Sequence, residues 1–253
     1  MLGNDIVDLR DADARPESFR ARFDERVFSA EEQRAIAHDA KPLARRWAHW
    51  GAKEAAYKLA KQIDSTFVFS RGRLVPHYSH YTHFADDAND PDDASQPTAS
   101  NREGCQFERR GTLELPCALP QGIRMLELRS FETDERVHVV AVPLGSDWDS
   151  VGMAVEALDR ELDDPSAAVR AMAVREISRR LGVAADRITI GREGRIPCVE
   201  LDGSRTSLSL SLSHHGGLIS YAMRLQMDNQ SQSVWTQGWT DSDSRTAGAR
   251  WTP

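Results

Sequence analysis

One predicted helix carries a carboxylate where an apolar side chain is expected. In WGAKEAAYK, which begins at Trp50, steps of four and three residues place Glu54 on the same helical face as Trp50 and Tyr57. Lys58 follows one turn after Glu54. An unpaired charge on a buried face is costly. Two kinds of compensation are open: a structural ion pair with Lys53 or Lys58, or a bound metal ion.

A second carboxylate lies near the N-terminus. In GNDIVDL, which begins at Gly3, alternation places Asp5 on the same side of a short predicted strand as Val7. Taken alone, Asp5 is either a charge at a strand edge or a ligand. Mg²⁺ binds one or two protein carboxylates and completes its coordination with water and phosphate oxygens. Asp5 and Glu54, with Lys58 as a phosphate contact, would suit such a site.

A third polar stretch, SLSLSHHGG, begins at Ser209. Its alternating leucines predict a strand with a serine face, followed by a turn that contains the two histidines and the glycines. Ser213 and His214 would then be presented at the end of the strand. A histidine in a turn is usually only solvated, so this stretch alone assigns no function.

Composition restricts the class of protein. The 253 residues have a net charge of −7 and are 40% hydrophobic, an ordinary soluble globular profile. The acidic balance argues against a nucleic-acid partner, and no stretch is apolar enough for a membrane span. The three cysteines lack metal-ligand spacing and the first residues lack a signal-peptide pattern, so we expect a cytoplasmic protein without disulfides.

Basic residues are concentrated in two regions despite the acidic total. Residues 41–61 contain six lysines and arginines against one acid, and residues 170–195 contain seven arginines. Two interpretations are open: a solvated helical surface, or contact with a phosphate-rich ligand or an acidic partner protein.

The chain contains two similar segments, which predict two α+β halves. Each segment has a base before a glutamate, another base four residues later, and a glycine and an arginine beginning eighteen residues after the glutamate. Both then alternate with period two and end in a predicted hairpin. The matched positions are Lys53 and Arg175, Glu54 and Glu176, Lys58 and Arg180, Gly72 and Gly194, and Arg73 and Arg195.

The two halves differ where polar chemistry could lie. Arg129 and Ser130 are predicted at the first hairpin turn, where the second half has Ser213 and His214. The strand of Asp5 has no convincing partner before the second half. Each half thus lacks something that the other has, which predicts one composite site between them.

The predicted boundaries follow composition. The first half spans residues 1–84 and ends with 105–145, and residues 85–104 form an acidic insertion rich in Pro, Ser and Asn. The second half spans residues 146–226 and is followed by a polar tail at 227–253. We expect the insertion and the tail to be disordered because they have little to bury.

GNDIVDL, FSAEEQ (residues 28–33), WGAKEAAYK and SLSLSHHGG together resemble the motifs of the 4'-phosphopantetheinyl transferase superfamily. These enzymes move phosphopantetheine from coenzyme A to a serine of a carrier protein. The resemblance covers roughly residues 1–76 and 120–225. It implies a Mg²⁺-dependent, monomeric α+β pseudodimer of the holo-acyl-carrier-protein synthase type, acting on an acyl or peptidyl carrier protein.

The resemblance also implies roles for individual residues. Asp5 and Glu54 hold Mg²⁺, and Glu54 takes the proton of the carrier serine. Lys58 neutralises charge that develops on the bridging and leaving oxygens. The coenzyme A contacts are Lys53, Arg195, Ser213 and His214.

The order of the motifs differs from that of the long family members. The chain has the motif order of the short holo-acyl-carrier-protein synthases but the double length of the surfactin-synthetase-activating type. The long type has a second acid two residues after the first aspartate, and here that position is Val7. Asp8 follows, but alternation points it to the opposite face, so the resemblance implies two protein ligands only.

Two further interpretations remain open. The fold could serve a non-catalytic protein that binds coenzyme A or a carrier protein. Separately, His77, His80 and His83 recur at steps of three, and such a set could bind Zn²⁺. The sequence leaves open whether the carrier belongs to fatty acid, polyketide or peptide synthesis.

Overall fold

The computed structural model describes residues 1–83, 107–158 and 164–225. The predicted insertion at 85–104 and the tail at 227–253 lie outside these ranges. The helices are α1 (Phe23–Val27), α2 (Ala30–Ala37), α3 (Pro42–Ile63) and α4 (Pro165–Leu181). The strands are β1 (Gly3–Asp8), β2 (Pro76–His83), β3 (Phe107–Glu114), β4 (Met125–Glu132), β5 (Arg136–Pro143), β6 (Val151–Ala157), β7 (Ile188–Glu193), β8 (Ile196–Leu201), β9 (Ser204–Arg205), β10 (Leu208–His215) and β11 (Leu218–Leu225).

The described strands form antiparallel sheets, so the predicted α+β class is confirmed. One sheet has the order β1-β5-β4-β3-β2, a second has β10-β11-β6, and a third has β7-β8-β9. In the first part of the chain β1 precedes α3 and pairs with β5, and in the second part β6 precedes α4 and pairs with β11. The relation of the two parts as a pseudodimer stays a prediction. No helix within the described ranges is long and apolar enough to cross a membrane.

The pairing of β1 corrects one expectation. The strand of Asp5 does have a partner in the first half, because it pairs along its whole length with β5. Gly3 lies opposite Ala141, and Asp5 lies opposite Val139. The other edge of β1 is the one that faces the second half.

Both predicted hairpins are present, but their turns lie later than expected. Strand β4 continues through Glu132, so Arg129 and Ser130 are paired within the strand and not at its turn. Strand β10 continues through His215, so the turn consists of the two glycines that follow it. Continued pairing with β5 and with β11 keeps these polar residues in the sheets.

Helix α3 packs closely against β1 and β5 because its contact surface is made of small residues. A Cβ at Gly3 would lie 2.0 Å from the Ala55 carbonyl oxygen, and one at Gly51 would lie 2.9 Å from Val139 Cγ2. Glycine at these two positions therefore lets the helix approach the strand that carries Asp5. The fully buried alanines of the helix are Ala48, Ala52, Ala55, Ala56 and Ala60.

Candidate active site

The two parts of the chain meet where the free edge of β1 lies against the serine face of β10. The Asn4 amide donates to Ser211 Oγ at 3.0 Å, and the Ile6 amide donates to Ser213 Oγ at 3.4 Å. The next amide along this edge donates to His215 Nδ1 at 3.2 Å. Side chains of β10 thus satisfy the backbone donors that a further strand would otherwise pair.

Asp5 is held at this seam by two donors from different elements. Lys58 Nζ donates to Asp5 Oδ1 at 2.8 Å and to the Asn4 carbonyl oxygen at 2.9 Å. Ser213 Oγ donates to the same Asp5 oxygen at 2.8 Å and accepts a bond from Lys58 Nζ at 3.1 Å. Residues of β1, α3 and β10 therefore form one polar cluster.

Glu54 lies beside this cluster without a cation of its own. Burial, and then the negative charge of Asp5, raise the pKa of Glu54 to about 7, against the opposing charges of Lys58 and Arg71. Within residues 1–83, 107–158 and 164–225 the Glu54 carboxylate makes no hydrogen bond or ion pair. The site therefore contains two neighbouring carboxylates, one of which is uncompensated.

Lys53, a predicted coenzyme A contact, lies elsewhere. Its side chain is fully buried, and its Nζ lies 2.7 Å from a carboxylate oxygen of Glu32. The same group donates to the carbonyl oxygens of Arg71, at 3.1 Å, and Leu74. Lys53 thus holds the backbone of the segment after α3 in place from the protein interior. The ion pair between Lys53 and Glu54, which the sequence left open, is not formed.

The FSAEEQ motif supports this anchor, a role that the sequence interpretation did not assign. Ser29 Oγ accepts the Glu32 amide at 3.2 Å and the Ser29 amide donates to Glu32 Oε2 at 2.7 Å, a capping box that begins α2. Burial alone would raise the pKa of Glu32, but His49, whose Nδ1 lies 3.3 Å from Glu32 Oε1, and the charge of Lys53 lower it. The Ser-x-x-Glu spacing was the signal that could have identified this helix start.

Most of the basic residues at 41–61 are compensated by acids from other parts of the chain, which neither sequence interpretation anticipated. The pairs, besides those of Lys53 and Lys58, are Lys41 with Asp134 at 2.7 Å, Arg46 with Asp24 at 2.7 Å and Arg45 with Asp39 at 4.0 Å. Lys61, Arg71 and Arg195 make no ion pair within the described ranges. These three cations are available to a ligand or partner.

A cleft of about 380 Å³ opens beside Glu54 and Lys58. It is lined on one side by the last turns of α3, including Lys61, and on the other by β10 and the turn between β7 and β8, including Arg195. Of its charged lining, Lys58 is paired with Asp5 and Glu193 with Arg205. Lys61 and Arg195 then outnumber Glu54, so the cleft suits an anionic ligand.

His214 is not part of the cluster. Because successive residues of a strand point to opposite faces, Ser213 faces β1 and His214 faces away. His214 is exposed and lies close enough to Asp164, the N-cap residue of α4, to interact with it electrostatically. Of the four predicted coenzyme A contacts, Arg195 lines the cleft, Ser213 joins the cluster, and Lys53 and His214 do neither.

The donor set at the cluster fits Mg²⁺. Mutual repulsion between Asp5 and Glu54 would be relieved by a divalent cation, which two carboxylates and substrate phosphates can coordinate. Asp8 adds no ligand, because its carboxylate accepts bonds from the Gly217 amide at 2.9 Å and from Arg10 at 3.0 and 3.2 Å. No group of three or more His, Cys, Asp or Glu side chains that could hold a metal ion occurs in the part of the chain described.

The alternative histidine site is not tested. The side chains of His80 and His83 lie outside the described part of the structure. His77 is exposed, and its Nδ1 lies 3.7 Å from Glu31.

Residues 1–99 match the family model of the 4'-phosphopantetheinyl transferase superfamily. The predicted resemblance to this family is confirmed. The part matched to the phosphopantetheinyl transferases includes Asp5, Glu54 and Lys58, whereas β10 with Ser213 lies beyond it. Neither the curated proteins nor the solved structures gave a match to the chain.

Proposed function

We propose that the protein transfers the 4'-phosphopantetheine group from coenzyme A to a serine of an acyl or peptidyl carrier protein. The reaction is Mg²⁺-dependent and of the holo-acyl-carrier-protein synthase type. One observation carries the proposal: Asp5, Glu54, Lys58 and Ser213 converge beside a cationic cleft. The family match of residues 1–99 supports the same chemistry.

Glu54 is the proposed general base. Burial and the charge of Asp5 raise the pKa of Glu54 to about 7 in the site without a metal ion. A bound Mg²⁺ would favour the ionised carboxylate, which is the form that accepts a proton. Glu54 accepts the proton of the carrier serine, directly or through water, as the serine oxygen attacks the β-phosphorus. The new oxygen–phosphorus bond forms as the bond to the bridging oxygen breaks, and 3',5'-ADP leaves with the electron pair.

Lys58 is the proposed electrostatic stabiliser. Its ammonium group lines the cleft and is fixed by Asp5, the Asn4 carbonyl and Ser213, so it costs little reorganisation when negative charge develops on the leaving oxygen. Asp5 and Glu54 would hold Mg²⁺, which when bound supplies charge neutralisation at the pyrophosphate. Arg195 and Lys61 add positive charge for the remaining phosphates.

His214 is retained as a proposed contact to the nucleotide end of coenzyme A on the family resemblance alone. His214→Ala should raise the KM for coenzyme A while turnover at saturation changes little, because the residue is remote from the reacting groups. An unchanged KM would remove His214 from the binding site.

The site is proposed to be composite and complete within one chain, as a monomeric pseudodimer requires. The cleft supports this because its lining comes from both parts of the chain. Titration should give one coenzyme A per chain, and specific activity should not depend on protein concentration. A stoichiometry of two, or a steep loss of rate on dilution, would contradict the single composite site.

The decisive experiment uses the purified protein, coenzyme A, Mg²⁺ and a panel of apo-carrier proteins of fatty acid, polyketide and peptide synthesis. Intact mass spectrometry should show the phosphopantetheine adduct on at least one carrier, with 3',5'-ADP released and the reaction abolished by chelation. Binding of coenzyme A without transfer to any carrier would instead favour the non-catalytic alternative.

A further inference from the structure

One apolar side chain beside the site is left in solvent. Val68 is 77% exposed, and among the large apolar residues described only Leu144, at 55%, is also exposed. The neighbouring Phe69 packs on two aromatic rings of α3, with ring centroids 4.8 Å from Tyr57 and 6.3 Å from Trp50. A single exposed valine needs no explanation, but one that extends a partly exposed aromatic cluster does.

This cluster adjoins Glu54. Trp50 precedes Glu54 by four residues and Tyr57 follows it by three, so both rings share its helical face. The Arg71 guanidinium lies over the Trp50 ring at 5.3 Å and reaches Glu54 electrostatically. Trp50, Tyr57, Val68, Phe69 and Arg71 are called the Val68 patch below.

The segment after α3, which carries Val68, Phe69 and Arg71, is held in place by hydrogen bonds from the protein interior. Buried Lys53, paired with Glu32, donates to the carbonyl oxygens of Arg71 and Leu74. Phe69 is fixed from its other side by the rings of α3. A surface that is already ordered loses little conformational entropy on binding, so the Val68 patch is suited to a protein partner.

The charge at the rim of the patch indicates the kind of partner. Arg71 and Arg73 follow the apolar residues after Ser70, and both arginines are exposed. Neither arginine forms an ion pair within the described part of the chain, although Arg71 acts electrostatically on Glu54. The patch is therefore apolar at its centre and cationic at its edge, which complements a segment with apolar and acidic side chains.

We propose that the Val68 patch is the docking surface for the carrier protein. It receives an apolar and acidic segment next to the acceptor serine, while coenzyme A occupies the cleft on the Arg195 side. Tyr57 of the patch lines the cleft together with Glu54, so the two surfaces adjoin at these residues, where the serine and the pyrophosphate must meet. The inference rests on the proposed function and adds to it the direction from which the second substrate arrives.

Kinetics with one carrier that the wild-type protein modifies test the proposal. The carrier is varied at saturating coenzyme A and Mg²⁺, and coenzyme A is varied at saturating carrier. Val68→Ser and Arg73→Glu should each raise the KM for the carrier at least about fivefold and leave the KM for coenzyme A within about twofold. Arg195→Glu should show the reverse pattern.

Leu144→Ser is the matched control, because Leu144 is an exposed apolar residue outside the patch. Its KM for the carrier should remain that of the wild type, and all variants should keep the wild-type melting temperature. If Val68→Ser and Arg73→Glu leave the KM for the carrier unchanged, or raise both KM values equally, the docking surface is wrong although transfer stands. If the wild-type protein modifies no carrier in the panel, the proposed function fails, and the docking surface with it.

Discussion

Helices α3 and α4 carry the same arrangement of a glutamate with a base four residues later, yet the two carboxylates have opposite environments. Glu176 in α4 accepts bonds from Arg179 at 2.7 and 2.8 Å and also from Arg180. Burial alone would raise the pKa of Glu176, but these two arginines lower it. Glu54 in α3 has no such donor, and its pKa is raised to about 7.

The neighbouring strand explains the difference. Asp5 follows Gly3 by two residues in β1, and at the same distance after Gly152 in β6 stands Ala154. Lys58 turns to Asp5, whereas Arg180 pairs with the glutamate of its own helix. One acid on the adjacent strand therefore decides whether the helical base neutralises its glutamate or leaves it available for chemistry.

The largest expected effect comes from removing each glutamate in turn. Glu54→Gln should reduce transfer by at least about 10²-fold, because a general base alone contributes about 10²–10⁴-fold and a metal ligand is lost as well. Glu176→Gln should leave the rate within about twofold. The measurement is phosphopantetheine transfer followed by mass spectrometry. Retention of more than about a tenth of the wild-type rate by Glu54→Gln would contradict the base and metal role.

Ser213 and Ser130 distinguish the two hairpins in the same way. Ser213→Ala leaves the Ile6 amide without its acceptor and Asp5 without one donor, so we expect a loss of about 10-fold in transfer and about 1–2 kcal/mol in stability. Ser130→Ala removes a bond to Glu132 and should leave transfer within about twofold. Equal effects of both changes on transfer would show that the seam does not position Asp5.

The stability effects of the two glutamate variants should have opposite signs. The pKa of Glu54 is higher in the folded protein than the ordinary value of 4.5, so its stabilising contribution is present below pH 4.5 and lost as pH rises through about 7. In a chelator at pH 8, Glu54→Gln should therefore be more stable than the wild type by about 2–3 kcal/mol. The difference should vanish near pH 4.

Glu176 behaves oppositely because its pKa is lowered, so its contribution is present above pH 4.5 and lost as pH falls. Glu176→Gln should be less stable at pH 8, by about 1 kcal/mol, since this pair is partly exposed. Urea denaturation of both variants at pH 4 and pH 8 makes the comparison. The same sign for both at pH 8 would mean that Glu54 is compensated in solution.

The smallest expected effect concerns the connection between β2 and β3. This connection is long, whereas β7 and β8 are joined by a tight turn. Deleting residues 85–104 should change the free energy of unfolding by less than about 1 kcal/mol, because loop length carries a weak entropic cost. Transfer should be unchanged. A collapse of the melting temperature would reveal an unrecognised structural contribution from this segment.

Periodicity was sufficient to predict α3 and both hairpins, because their buried faces repeat regularly. It was insufficient for Lys53 and Lys58, which are similar bases on one helix. Which of them reaches the site is decided by Glu32 and Asp5, and neither contact has a local signal. The exclusion of His214 from the cluster was within reach, because the paired glycines mark the turn and alternation then separates His214 from Ser213.

Strands β2, β3 and β6 were not predicted, and neither was the sheet of β7, β8 and β9. Strand β2 is HYSHYTH after its proline, a polar run whose histidines suggested a metal site. A bulge at Tyr78 and His80 breaks its register against β3, so no regular alternation marks it. The first residues of β6 are buried and its last residues are exposed. Burial therefore changes along the strand and does not alternate between its two faces.

The bonds between β1 and β10 join residues that are 207 positions apart. Synthesis makes β1 long before its serine partners in β10, and contacts so distant in sequence form slowly. Until β10 has been made, the amides at the outer edge of β1 have no acceptor from β10 and can pair with strands of other chains. A product truncated before Ser211 would keep Asp5, Glu54 and Lys58. It would lack the Ser213 hydroxyl that donates to Asp5. On the proposed function, transfer therefore requires a nascent chain that extends at least through Ser213.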